Sequence, residues 1–180
     1  FEALKKIQEE YLDQVNLFNF KENIFTDKAP LNFRWIGIIK ILFPNCKIIH
    51  CQREPMDVCF SNFKNTFTSK SISFCYNLNK LGNYYNLYSD LMIFWKKIFG
   101  NEIYDLSYEK LINNQEEETK KLLNYCELEW DVNCLSPHKN EKLVATASLA
   151  QVRSPIYKSS IKKWQNYTNN LKDLENLIKN

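Results

Sequence analysis

The sequence predicts an α/β fold built on a parallel sheet, and three observations carry that expectation. Short apolar runs alternate with longer stretches of helical periodicity, in the order helix, strand, helix, strand, helix, helix, strand, helix. Residues 46–51 hold an Ile48–Ile49 pair, the composition of a strand covered on both faces, as parallel sheets require. The predicted strands lead through short polar turns into helices, which is how parallel strands connect.

The elements follow in order. Leu4, Ile7, Tyr11 and Val15 recur at helical spacing and predict an amphipathic helix over 3–15. Residues 23–26 read as a short strand, and Asp27-Lys28-Ala29-Pro30 turns the chain into a helix over 31–42 that Pro44-Asn45 ends. Residues 46–51 form the central strand. Gln52-Arg53-Glu54 then leads to Pro55, suited to a first helical position, with Asp57 in the first turn where a carboxylate meets the helix dipole. That helix is expected over 55–67.

After a polar stretch over 68–79, Leu81, Tyr84, Leu87, Leu91, Phe94 and Trp95 carry a long helix that closes at Gly100, a residue at ease in a left-handed cap. Residues 103–106 predict a strand, 108–112 a short helix, 115–126 a surface helix and 161–178 the last helix.

With 180 residues, 44% hydrophobic and 25% charged, the chain fits one domain over 1–180 with a single core. A net charge of +3, spread over many elements, does not point to nucleic acid; it suits a small anionic ligand and a mixed solvated surface alike. Six cysteines never form C-x-x-C, and His50 and His138 lie far apart, so no metal site is expected. Free cysteines in that pattern fit a reducing, cytoplasmic setting better than a disulfide framework. The longest apolar run, 35–44, is interrupted by Lys40 and falls short of the roughly 20 residues that span a bilayer. Phe1 stands where an initiator Met would, and no apolar signal core follows, so the chain is expected to begin inside a longer gene product. Gly37, Gly82 and Gly100 are scattered, which leaves no Gly-rich phosphate cradle among these residues.

Ligands of open α/β sheets gather at the C-terminal ends of the strands. Lys28, Arg53 and Tyr108 each directly follow a predicted strand and are therefore expected at one edge. Ser61 lies six residues along the helix from Pro55, a rise of roughly 9 Å that a guanidinium can cover. Spacing alone leaves two readings open. Either Arg53 and Ser61 grip one phosphate by a charged fork and a hydroxyl, or the Arg is a surface residue and the Ser bonds back to its own helix.

Residues 25–67, with the Asp-Lys-x-Pro turn and the strand ending in Arg53 with Ser61 eight residues on, resemble the sulfotransferase family. The likeness is greatest to its tyrosylprotein and tetratricopeptide-linked bacterial branch, and Leu106-Ser107-Tyr108-Glu109-Lys110-Leu111 is similar to the family's Tyr-Glu-x-Leu segment. The resemblance implies that Arg53 and Ser61 bind the 3′-phosphate of 3′-phosphoadenylyl sulfate (PAPS), that Lys28 is the catalytic cation beside the transferring sulfuryl group, and that Tyr108 borders the adenine. Residues 146–164 resemble the family's closing loop, in which Ser148 matches a donor-contacting serine and Arg153 and Lys158 are cationic candidates by charge and place.

The fold so implied is three-layered and P-loop-like, with a central parallel sheet, but a truncated copy. The family's Gly-Pro-Arg-Ser-Gly-Thr-like loop for the 5′-phosphosulfate, its strand, and the glutamate base beside it have no counterpart here. The His that the cytosolic branch places near the Lys turn is also missing. The implied activity is metal-free transfer of a sulfuryl group from PAPS to a hydroxyl acceptor, protein tyrosine or a small molecule. Two alternatives stand beside it: a non-catalytic remnant that binds adenosine 3′,5′-bisphosphate or another partner, and a nucleoside-phosphate kinase-like domain, which needs a Gly-rich loop and a magnesium carboxylate.

Overall fold

The computed structural model describes residues 2–19, 21, 24–67, 69–140, 154, 156 and 160–178. Two strands, β1 (Ile48–Gln52) and β2 (Ile103–Ser107), pair in parallel, with Ile48 opposite Ile103 and Gln52 opposite Ser107. Between them run α3 (Pro55–Lys64), a 3-10 segment (Lys70–Tyr76) and the long α4 (Leu78–Phe99). Preceding β1 are α1 (Glu2–Asn16), a 3-10 turn (Asn32–Trp35) and α2 (Ile36–Leu42); following β2 are α5 (Tyr108–Asn113), α6 (Gln115–Tyr125) and α7 (Thr168–Leu177). Among the described residues no helix is long and apolar enough to cross a membrane.

Local chemistry sets the ends of these elements. The Asn77 side chain accepts the Lys80 amide at 3.0 Å to start α4, and Gly100, at φ +52°, ends it with its amide on the Lys96 carbonyl. Glu54 caps α3 by accepting the Asp57 amide at 2.7 Å, and Pro55 fills the position where a missing N–H removes nothing.

Among the described residues, two apolar clusters stand out in the core. Met56, Cys59, Cys75, Leu81, Leu171, Leu174 and Ile178 join α3, α4 and α7. Ile36, Met92 and Ile103 join α2, α4 and the sheet, where Trp95 donates its indole N–H to the Phe33 carbonyl at 2.8 Å. All six cysteines are free.

Several expectations need correction. Residues 24–26 are exposed coil instead of a strand, because no strand among the described residues lies beside them to take their backbone bonds. Lys28 therefore does not follow a strand. β1 starts at Ile48 and is not covered on both faces: its burial alternates, Ile49 is 38% exposed, and among the described residues only β2 pairs with it. The helix expected over 31–42 and the one over 161–178 each begin with a 3-10 turn, and α3 stops at Lys64 where Asn65 is extended.

Candidate functional site

The parallel register ends both strands side by side at Gln52 and Ser107, so the two strand-to-helix turns meet. Glu109 ties them together. Its Oε1 accepts the Glu54 backbone N–H at 2.9 Å and its Oε2 lies 3.4 Å from the Ser107 hydroxyl, which in turn accepts the Lys110 amide at 3.3 Å. Arg53 and Tyr108 stand on these two turns, and the Arg53 guanidinium lies 4.8 Å from the centre of the Tyr108 ring, within cation–π range.

A segment from far along the chain completes the cluster. Arg53 Nη2 donates to the Ser160 carbonyl at 2.7 Å, and the Tyr108 hydroxyl and Ser160 Oγ share a 3.0 Å hydrogen bond. Asp57, only 2% exposed, accepts the Lys162 backbone N–H on Oδ2 at 2.9 Å, and the same oxygen is 3.8 Å from Arg53 Nη2. Among the described residues Arg53 Nε and Asp57 Oδ1 are buried without a hydrogen-bond partner. A buried donor on a guanidinium is an unmet demand for a hydrogen-bond acceptor, whether an anion or a water, and the unpaired Oδ1 is the matching demand for a donor.

A cleft of about 310 Å³ opens beside Arg53, lined by Gln52 and Ser107 from the strand ends, Glu109, and Tyr85 and Tyr88 from α4. At its floor His50 Nδ1 lies 2.8 Å from Asp105 Oδ1, His50 Nε2 meets the Tyr88 hydroxyl, and Lys96 pairs with the other Asp105 oxygen. Burial lowers the His50 pKa against the opposing pull of Asp105. Burial also pulls the Asp105 carboxyl upward, but its hydrogen bonds to Lys96 and His50 win and hold it below its usual value. The Tyr88 hydroxyl is pushed up to about 12, mainly by burial and then by Asp105 and Cys51.

The structure thus brings Arg53 and Tyr108 together. Ser61 is half-buried on α3, its carbonyl taken by the Asn65 side chain at 2.8 Å, and it is not among the hydrogen bonds that join Arg53, Tyr108 and Ser160. Lys28 is exposed in the coil before the 3-10 turn and joins none of those contacts among the described residues; its neighbour Asp27 is fixed instead, accepting from Tyr11 at 2.8 Å. Ser148, Arg153 and Lys158 lie outside the described residues. Sequence reasoning missed Ser160, Lys162 and the His50–Asp105–Tyr88–Lys96 group. No local signal pointed to the last, because His50 and Asp105 are brought opposite by the register of β1 against β2. Among the described residues no group of three or more His, Cys, Asp or Glu is placed to hold a metal ion.

A sequence profile of the Sulfotransferase family matches residues 2–132, well over half of the chain. The chain belongs to the sulfotransferase family. An uncharacterized protein of Aquifex aeolicus (strain VF5) is 38% identical over 166 residues, covering 91% of this chain and 22% of that relative. The chain therefore spans about a fifth of the relative's length. Within this sulfotransferase-family chain the profile takes in both strand-to-helix turns, with Lys28, Arg53, Ser61 and Tyr108, whereas Ser160 and Lys162 lie beyond it.

Proposed function

We propose that this domain binds 3′-phosphoadenylyl sulfate and forms part of an enzyme that transfers its sulfuryl group to a hydroxyl acceptor, protein tyrosine or a small molecule. The observation that carries the reading is the Arg53 guanidinium, stacked on Tyr108, backed by the Asp57 carboxylate and left with a buried unpartnered Nε beside an open cleft. In this reading Arg53 and Ser61 hold the 3′-phosphate and Tyr108 borders the adenine, with Ser148, Arg153 and Lys158 closing over the nucleotide. Lys28 is assigned to the leaving 5′-phosphate, where a cation offsets the charge that develops as the sulfur–oxygen bond to the phosphate breaks and the one to the acceptor oxygen forms. No Gly-rich loop occurs in these 180 residues, so the reading assigns the 5′-phosphosulfate contacts and the general base to segments outside them. A likeness to the tyrosylprotein and tetratricopeptide-linked branch belongs to the same proposal.

The test is calorimetric titration with adenosine 3′,5′-bisphosphate and with adenosine 5′-monophosphate. Arg53→Ala removes a charge-assisted contact in a partly dry site and is expected to weaken the bisphosphate by about 2 kcal/mol while barely changing the monophosphate. Equal losses for the two nucleotides would show that Arg53 does not read the 3′ group.

A further inference from the structure

A carboxylate in the first turn of a helix ordinarily sits in solvent over the free N–H groups. Asp57 does not. It is 2% exposed, and its Oδ2 reaches across 105 residues of sequence to accept the Lys162 N–H at 2.9 Å while lying 3.8 Å from Arg53 Nη2. Lys162 has φ +56°, a left-handed conformation that a lysine holds only when something fixes it. Two residues earlier, Ser160 is fixed as well, by its carbonyl on Arg53 at 2.7 Å and its hydroxyl on Tyr108 at 3.0 Å.

The neighbouring carboxylates are otherwise engaged. Glu54 caps the Asp57 amide and Glu109 holds the Glu54 amide, so Asp57 is the acid that faces the guanidinium. Its second oxygen, Oδ1, and Arg53 Nε are both buried without partners among the described residues. A buried carboxylate of this kind orients the guanidinium it faces and removes its freedom to swing, much as an outer-shell acid orients a ligating histidine.

We propose that Asp57 is a positioning residue of the anion site: it anchors the Ser160–Lys162 turn through the Lys162 N–H and aims the Arg53 fork at a 3′-phosphate. This rests on the nucleotide reading above. The Ser160 carbonyl holds Arg53 Nη2 at 2.7 Å and Asp57 Oδ2 backs the same nitrogen at 3.8 Å, so the two together limit how the guanidinium can turn.

Adenosine 3′,5′-bisphosphate and adenosine 5′-monophosphate are titrated calorimetrically into the wild type, Asp57→Ala and Asp57→Asn, with thermal melts to confirm folding. Asp57→Ala is expected to weaken the bisphosphate about tenfold and leave the monophosphate unchanged. Asp57→Asn is isosteric and keeps an oxygen for the Lys162 N–H, so it loses only the pull of charge on Arg53 and weakens the bisphosphate about threefold. Should Asp57→Ala fail to fold, the Asn variant decides alone: a loss confined to the bisphosphate supports the role. Equal weakening of both nucleotides, or wild-type affinity in the folded variants, overturns it and leaves the nucleotide reading standing. A wild type that does not prefer the bisphosphate sinks that reading and this inference together.

Discussion

His50 is pulled in two directions, and the balance fixes how the protein responds to acid. Asp105 on β2 favours the imidazolium, while burial beneath α4 opposes it and prevails, so the ring titrates below its ordinary value of 6.5. Tyr88 and Lys96 of α4 and Gln52 of β1 are the other polar groups that face this pair. A folded pKa below the unfolded one means that the unfolded chain takes up the proton first as pH falls. The stability from a neutral His50 is therefore complete above about 6.5 and is lost as pH drops toward the folded value. Asp105, also held low, adds a second loss further down, in the carboxylate range. The urea midpoint of the wild type should thus fall between about pH 7 and about pH 5, and His50→Gln should be flatter there. Parallel slopes would remove His50 from the account. This residue group was not legible in the sequence, because His50 and Asp105 are 55 positions apart and only the strand register brings them opposite. Arg53 and Tyr108 were legible, since each directly follows a strand and parallel neighbours end together.

At the level of the elements, two glycines act by opposite means. Gly100 closes α4 at φ +52° with open space around it, so an alanine there meets no atom but strains the backbone. Gly37 on α2 has no special backbone angle; a Cβ at this position would lie 2.8 Å from a Trp95 ring carbon of α4. Gly100→Ala is expected to destabilise by about 1 kcal/mol, and Gly37→Ala by roughly 1–3 kcal/mol through overpacking. The two separate in a double-mutant cycle with Trp95→Phe, which removes the clashing ring atoms: the Gly37→Ala penalty should shrink and the Gly100→Ala penalty stay constant. A constant Gly37→Ala penalty would mean that the α2–α4 approach is not what the glycine serves. The sequence revealed Gly100 because a helix cap is local. It could not reveal Gly37, which depends on a helix 58 positions away in the chain. The same division explains the link from Asp57 to Lys162, which spans 105 positions, and the coil at 24–26, which was expected as a strand but is not part of the described sheet.

The whole molecule leaves much apolar surface in water. Among the described residues, its two core clusters share α4, and the outward side of that helix still carries Leu87 at 66% and Ile98 at 53% exposure. Ile41 of α2 and Ile49 of β1 add to this surface, and the described sheet has only two strands, so each has an edge without a β partner. Apolar runs such as Ile48–Ile49 suggested burial on both faces; what they encode is affinity for a covering layer, and a sequence does not say whether that layer is present. Exposed apolar stripes of this kind favour association over dispersion in water. The isolated chain is therefore expected to bind a hydrophobic dye and to sediment with a mass that rises with concentration. The double variant Leu87→Lys and Ile98→Glu should reduce both signals while shifting stability by no more than about 1 kcal/mol, because neither side chain belongs to the two core clusters. Leu174→Ala is the contrasting control. That side chain is 0% exposed at the centre of the larger cluster, and its loss should cost about 2–5 kcal/mol and raise dye binding. Unchanged dye binding and sedimentation in the double variant would show that the outward side of α4 is not the surface that drives association.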